Sequence, residues 1–117
     1  MEQEIKHQDM PSLTTMQMQV RSWQHHNFPS STYEEPFKGM VEEIGELSHA
    51  LLKMKQGIRG TTQEHEAAIQ DAIGDLCIFT MDFCNKRGYN LYYIIYNVWK
   101  EVQKRDWIKY PVNGKDK

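Results

Sequence analysis

No apolar run in this sequence approaches the roughly 20 residues that a helix needs to cross a bilayer. The polar opening MEQEIKHQDM also lacks the apolar core of a secretory signal. A cytoplasmic location and no membrane partner are therefore expected. Neither sign of charge dominates: 14 Lys and Arg face 16 Asp and Glu, for a net charge of −2. Such a chain has no overall positive field for long nucleic acid, so an anionic ligand has to be held locally. With seven Gly and four Pro, and no internal repeat or low-complexity segment, fibrous and disordered classes are excluded. Cysteine is scarce. Cys77 and Cys84 stand roughly 10 Å apart along a helix axis, too far for a disulfide. Neither belongs to a C-x-x-C pair or has suitably spaced histidines, which argues against zinc. They read as reduced thiols packed in a core.

What is present suits a single globular domain of 117 residues, 39% hydrophobic and 26% charged. A chain this short buries only part of its surface, so a subunit interface would help it. Helical patterning covers four segments, separated by short Pro, Gly and Ser signals. Ser12 is a good N-cap for a first helix from Leu13 to about His26, with Leu13, Met16, Val20 and Trp23 on one side. A second, from about Glu35 to Gln56, carries Phe37, Met40, Val41, Ile44, Leu47, Leu51 and Met54 as a stripe expected to face the core. After Gly57-Ile58-Arg59-Gly60, Thr61 and Glu64 resemble a capping box for a third helix that ends near Gly88. The fourth is expected from Leu91 to Lys109, before Pro111. The expectation is an all-α, four-helix-bundle-like domain over residues 12–110, with a flexible stub at 1–11 and a flexible tail at 111–117.

The chemistry concentrates in acids. In Val41-Glu42-Glu43-Ile44-Gly45-Glu46-Leu47, Glu43 and Glu46 are neighbours at the edge of the apolar stripe. Gly39 and Ala50 on the same strip leave room beside them. On the third helix Asp71 and Asp75 are one turn apart, flanked by Ala68, Ala72 and Gly74, and Asp82 returns to almost the same direction. Two helices joined by a short connection pack antiparallel, which turns the acidic strips toward one cleft. Like charges at such spacing repel unless they share a cation, and hard oxygen donors suit Mg²⁺ with its waters and phosphates. The plain alternative is two solvated acidic faces balanced by Lys53, Lys55 and Arg59; spacing alone does not choose between them.

At these residues the sequence resembles the MazG-like nucleotide pyrophosphohydrolases, which carry E-E-x-x-E on one helix and E-x-x-D on the next. Glu42-Glu43-Ile44-Gly45-Glu46-Leu47 matches the first motif and Ile73-Gly74-Asp75-Leu76 the end of the second. The likeness extends over roughly Met16 to Trp107. It implies an all-α enzyme that uses Mg²⁺, with Mn²⁺ as a substitute; a homodimer or dimer of dimers is expected on separate grounds, because the aromatic surface of the fourth helix, Tyr92, Tyr93, Tyr96, Trp99 and Trp107, exceeds what one short bundle can cover. The implied reaction is attack of water on a (deoxy)nucleoside triphosphate, a purine such as dGTP being one candidate, to give monophosphate and pyrophosphate. Carried over by position, Glu43, Glu46 and Asp75 are metal ligands, and Glu42 joins Glu43 as a catalytic acid. One position departs. The second-motif glutamate falls at Ala72, and Asp71, one residue earlier, is expected to replace it as a ligand.

The family also places an amide and basic residues on its last helix against phosphate oxygens; here these are Asn97, Lys100, Lys104 and Arg105. A solvated basic face is the plain alternative. For the base, Trp23 and Phe28 are the aromatic candidates. Trp23 continues the first helix's stripe, the pattern of a core residue, whereas Phe28 follows that helix and is better placed to stack. His25 and His26 are expected to be exposed, and Arg59 to face solvent on a connecting turn. Two other functions remain: a non-catalytic helical module that binds a partner through its aromatic last helix, or the same chemistry on an alarmone or a damaged nucleotide.

Overall fold

The computed structural model describes residues 9–116, so most of the expected N-terminal stub and Lys117 lie outside the described residues. Within them the chain is all-helical, with four helices and no strand: α1 Leu13–Asn27, α2 Glu34–Gln56, α3 Thr62–Arg87 and α4 Leu91–Val102. No helix among the described residues is long and apolar enough to cross a membrane.

Local chemistry sets most of the boundaries. Ser12 Oγ accepts from Thr15 N at 3.1 Å, and Thr61 Oγ1 accepts from Glu64 N at 3.1 Å, each satisfying an amide that a helix start leaves without a partner. Gly57 and Gly88 close α2 and α3 in the left-handed conformation, at φ 69° and 74°. Ahead of α2 the Glu35 carboxylate accepts from both the amide and the hydroxyl of Thr32, each at 2.8 Å. These bonds hold its pKa below the usual carboxylate value.

α4 is shorter than the sequence suggests, ending at Val102 rather than Lys109. Its last turn tightens as Lys104 N and Arg105 N donate to Glu101 O and Val102 O. Asp106 Oδ1 then takes the amides of Ile108 and Lys109, at 3.1 and 2.9 Å. A side chain competing for amides in this way favours turns over continued helix. Asp106 N donates to Gly114 O at 2.8 Å, folding the end of the chain back on itself.

The main packing unit is an antiparallel pair, α2 against α3, with α1 laid on α3 and α4 touching α1 and α3 but not α2. Gly39, near the start of α2, lies against the ring of Phe79, far along α3, and no Cβ at Gly39 would fit without moving that ring. Ala50 and Ala72 are buried along the same contact. The α2 stripe does not fill the chain's own core: Phe37, Val41, Ile44 and Leu51 are exposed. Residues 39, 43, 46 and 50 face α3 instead, and the stripe lies about 100° round the helix from them. The compact core is Met81, Cys84 and Leu91, with Leu13 and Val20 against it. Burial raises the pKa of the Cys84 thiol, while Cys77, expected in the core, is exposed.

α1 is fastened chiefly by one polar side chain. Gln17 Nε2 donates to Asn85 Oδ1 at 2.9 Å and Tyr89 O at 2.8 Å, and Gln17 Oε1 accepts from Leu91 N at 2.9 Å. Asn85 Nδ2 returns a bond to Gln17 O at 3.1 Å. One buried amide thus ties together α1, the end of α3 and the start of α4. Gln17→Leu leaves the buried amide of Leu91 without a partner, and is expected to lower stability by about 1–3 kcal/mol. Urea unfolding followed by circular dichroism measures this, and an unshifted midpoint would remove the network from the account.

Candidate active site

The acids of α2 and α3 meet as the antiparallel pairing requires. Glu42, Glu43, Glu46, Asp71 and Asp75 line one cleft of about 460 Å³, with Ala50, Ala68 and Ala72 as small neighbours. Ala72 is 3% exposed, at the contact between the helices. Asp71, beside it, supplies a carboxylate to the cleft. Among the described residues none of the five acids has a salt-bridge partner.

Glu43, half-buried, registers the crowding. Its pKa is raised above the usual 4.5, first by desolvation and then by the charges of Asp75, Glu42, Glu46 and Asp71. All four neighbours act in the same direction. Asp82 does not join them: it is buried and paired with Lys86 at 2.5 Å.

The cleft also has a basic rim. Arg59 lines it, together with His49 and His65, so this arginine is exposed but not directed away from the acids. The turn that carries it is conformationally unusual, with Arg59 at φ 62° between Gly57 at 69° and Gly60 at 143°. His65 Nε2 lies 2.9 Å from Ile58 O and anchors the turn to α3. The sequence signal was the Gly-x-x-Gly turn next to two acidic helices.

A second and larger cavity, about 1060 Å³, adjoins the first between α1, the α1–α2 loop and the α2–α3 pair. Its lining includes Trp23, Gln24, Phe28, Pro29, Pro36, Ile78 and Phe79. Trp23 and Phe28 meet edge to face, with ring centroids 6.0 Å apart and planes at 67°. Trp23 is therefore not a core residue, and both aromatic candidates line one cavity. Glu43 and Asp75 line both the cavity and the acidic cleft. They form the wall between an aromatic compartment and an acidic one.

The amide and basic residues expected on the last helix are elsewhere, and Lys104 and Arg105 lie beyond the end of α4. Asn97, Lys100, Lys104 and Arg105 are exposed, and α4 does not approach α2 within the chain. Lys100 Nζ lies 5.7 Å from the centroid of the Tyr96 ring, and Lys104 Nζ is 3.5 Å from Glu101 Oε1. One chain does not bring these four residues to the acids.

As donors for a divalent ion the five carboxylates fit Mg²⁺ in chemistry, being hard oxygens beside a water-accessible space. Among the described residues no three acidic, histidine or cysteine side chains are already drawn together as a metal cage. The chain has no significant match among protein-family models, curated proteins or solved structures.

The raised pKa of Glu43 has a consequence for stability. Between 4.5, its ordinary value, and the raised value, the folded state binds more protons than the unfolded chain, so stability falls as pH rises through that window. At neutral pH the Glu43 charge is a net cost to the metal-free fold. Glu43→Gln is expected to melt above the unsubstituted protein at pH 7 without divalent cations, and the gap should close on acidification to about pH 4. Paired thermal melts at the two pH values check it; a lower melting temperature for the variant at pH 7 would contradict the crowding described.

Proposed function

We propose that the chain is a Mg²⁺-dependent nucleotide pyrophosphohydrolase of the MazG-like kind, hydrolysing a (deoxy)nucleoside triphosphate to its monophosphate and pyrophosphate. The observation that carries this reading is the shared wall. An aromatic cavity of about 1060 Å³, with room for a nucleoside, opens beside a five-carboxylate cleft, with Glu43 and Asp75 belonging to both. A nucleotide has the same two halves, a flat apolar base and a polyanion that travels with divalent cations.

In this reading Glu43, Glu46, Asp71 and Asp75 hold the metal, with Mn²⁺ able to replace Mg²⁺. A cation bound there offsets phosphate charge and makes a coordinated water more acidic. Trp23 and Phe28 hold the base, which fixes the depth at which the phosphates enter the cleft. Water adds to the α-phosphorus, the bond from that phosphorus to the bridging oxygen breaks, and pyrophosphate leaves. Glu42, exposed beside Glu43, is free to accept the proton of the attacking water. Arg59, at the rim, supplies positive charge toward the leaving oxygens.

The enzyme is proposed to work as a homodimer or dimer of dimers. Large apolar and aromatic side chains stand exposed among the described residues, including Phe37, Val41 and Ile44 on α2 and Tyr92, Tyr96, Val98 and Trp99 on α4. A second copy would cover these faces and provide a route for Asn97, Lys100, Lys104 and Arg105 to reach a neighbour's cleft as phosphate contacts. The same α4 face favours the other reading, a non-catalytic interaction module, which predicts tight protein association without nucleotide turnover.

A hydrolysis panel of ribo- and deoxynucleotides with Mg²⁺, extended to alarmones and oxidised nucleotides and with products identified, decides between these readings. Monophosphate and pyrophosphate in equal amounts are expected; no metal-dependent turnover of any nucleotide would sink the enzyme. Glu43→Gln and Glu46→Gln should each lose turnover while remaining helical. Asp71→Asn should lower the Mg²⁺-dependent rate about tenfold, as loss of a group at or just behind a metal does. An unchanged Mg²⁺ titration for Asp71→Asn would remove it from the site. Light scattering is expected to give at least twice the 13.9 kDa chain mass. A fully active monomer at micromolar concentration would rule out the assembly.

A further inference from the structure

Gln24 stands out among the buried polar side chains. It is 7% exposed and lines the aromatic cavity between Trp23 and Phe28. Its backbone carbonyl accepts from Phe28 N at 2.8 Å, which holds the chain at the end of α1. Its side-chain amide makes no hydrogen bond to the described residues, and its atoms are open to solvent rather than sealed in. Gln17, two turns earlier and buried to the same degree, uses its amide in three bonds. An amide that protein groups leave open to solvent is available to a ligand, and Gln24 lines the cavity.

We propose that Gln24 reads the hydrogen-bonding edge of a nucleobase held against Trp23 and Phe28, and so sets base preference. This rests on the nucleotide reading of the adjoining cleft. An aromatic pair 6.0 Å apart at 67° offers a face and an edge to a planar ring. Apolar contact of this kind gives affinity with little discrimination. Discrimination comes from polar groups that are left unpaired when the wrong ligand enters. A carboxamide presents one acceptor beside one donor, and pairs in bidentate fashion with a base edge that does the same. Every base offers a donor beside an acceptor, adenine and cytosine as an exocyclic amine next to a ring nitrogen, guanine and uracil as a ring N–H next to a carbonyl, so the orientation in which Gln24 meets the stacked base decides which pair it favours. A carboxylate at position 24 only accepts, and suits instead the adjacent N1–H and N2–H donors of guanine.

The test uses the full chain and its Gln24→Met and Gln24→Glu variants, checked for helicity and assembly. Binding of adenosine, cytidine, guanosine and uridine is measured by calorimetry without divalent cation, so that neither phosphate nor metal contributes. Mg²⁺-dependent hydrolysis of the four triphosphates is measured in parallel. Gln24→Met is expected to weaken the preferred nucleoside at least about tenfold and to flatten the ranking of the four. Gln24→Glu is expected to shift the ranking toward guanosine. In hydrolysis these changes should fall on KM more than on kcat.

A purely structural role would lower stability without a gain for guanosine. An unchanged ranking in either folded variant overturns the proposal, as does a chain that binds none of the four nucleosides. Nucleoside binding that depends on Gln24, without triphosphate hydrolysis, would overturn the enzyme reading and leave the base site standing. Hydrolysis with an unaltered ranking would do the reverse.

Discussion

The close approach of α2 and α3 is the constraint on which the rest of the structure depends. Gly39, Ala50 and Ala72 are small where the helices meet, and the acids stand beside these positions. Two helices that pack through small residues bring whatever flanks them into mutual range. Here the flanking groups are like charges, so the contact that organises the fold also raises the free energy of its acidic cleft. The raised pKa of Glu43 owes first to desolvation by that contact and then to the four neighbouring acids. Evolution ordinarily removes such repulsion unless a function uses it.

A second conflict concerns apolar surface. α2 uses its small, acidic face on α3 and leaves its apolar stripe outside, while α4 is apolar around much of its circumference and mostly exposed. The apolar core at the junction of α1, α3 and α4 is small, Met81, Cys84 and Leu91 with Leu13 and Val20 against it, and a hydrogen-bonded glutamine shares the positioning. Directional bonds specify one arrangement where a few loosely packed side chains would permit several.

How far the sequence revealed this can be judged residue by residue. Ser12, Thr61, Gly57 and Gly88 mark helix ends through their own local chemistry, so those boundaries were legible. The end of α4 was not, because it depends on the Asp106 side chain outcompeting the helix for amides. The acidic cleft was legible from i, i+3 and i, i+4 spacing plus a short connection. The direction of the α2 stripe was not: periodicity shows that a face wants burial without saying what will bury it. Gln24 does not stand on the stripe through Met16 and Trp23 that the apolar residues of α1 suggest. The 3–4 spacing of Leu13, Gln17, Val20 and Gln24 marks the more buried face, and two amides on it are the signal. Of the four polar residues expected on the last helix, Lys104 and Arg105 fall beyond its end at Val102, and spacing along one helix carries no information about which other helix Asn97 and Lys100 face.

Phe79 stands between Gly39 and the aromatic cavity, touching the first and lining the second. Any side chain larger than hydrogen at position 39 has to displace that ring, which is part of the cavity's lining. The width of the compartment is thus adjustable from behind its wall, by a position that never meets a ligand. Related chains could diverge in the size of molecule they admit through this one hidden residue, with every ligand-facing side chain kept the same.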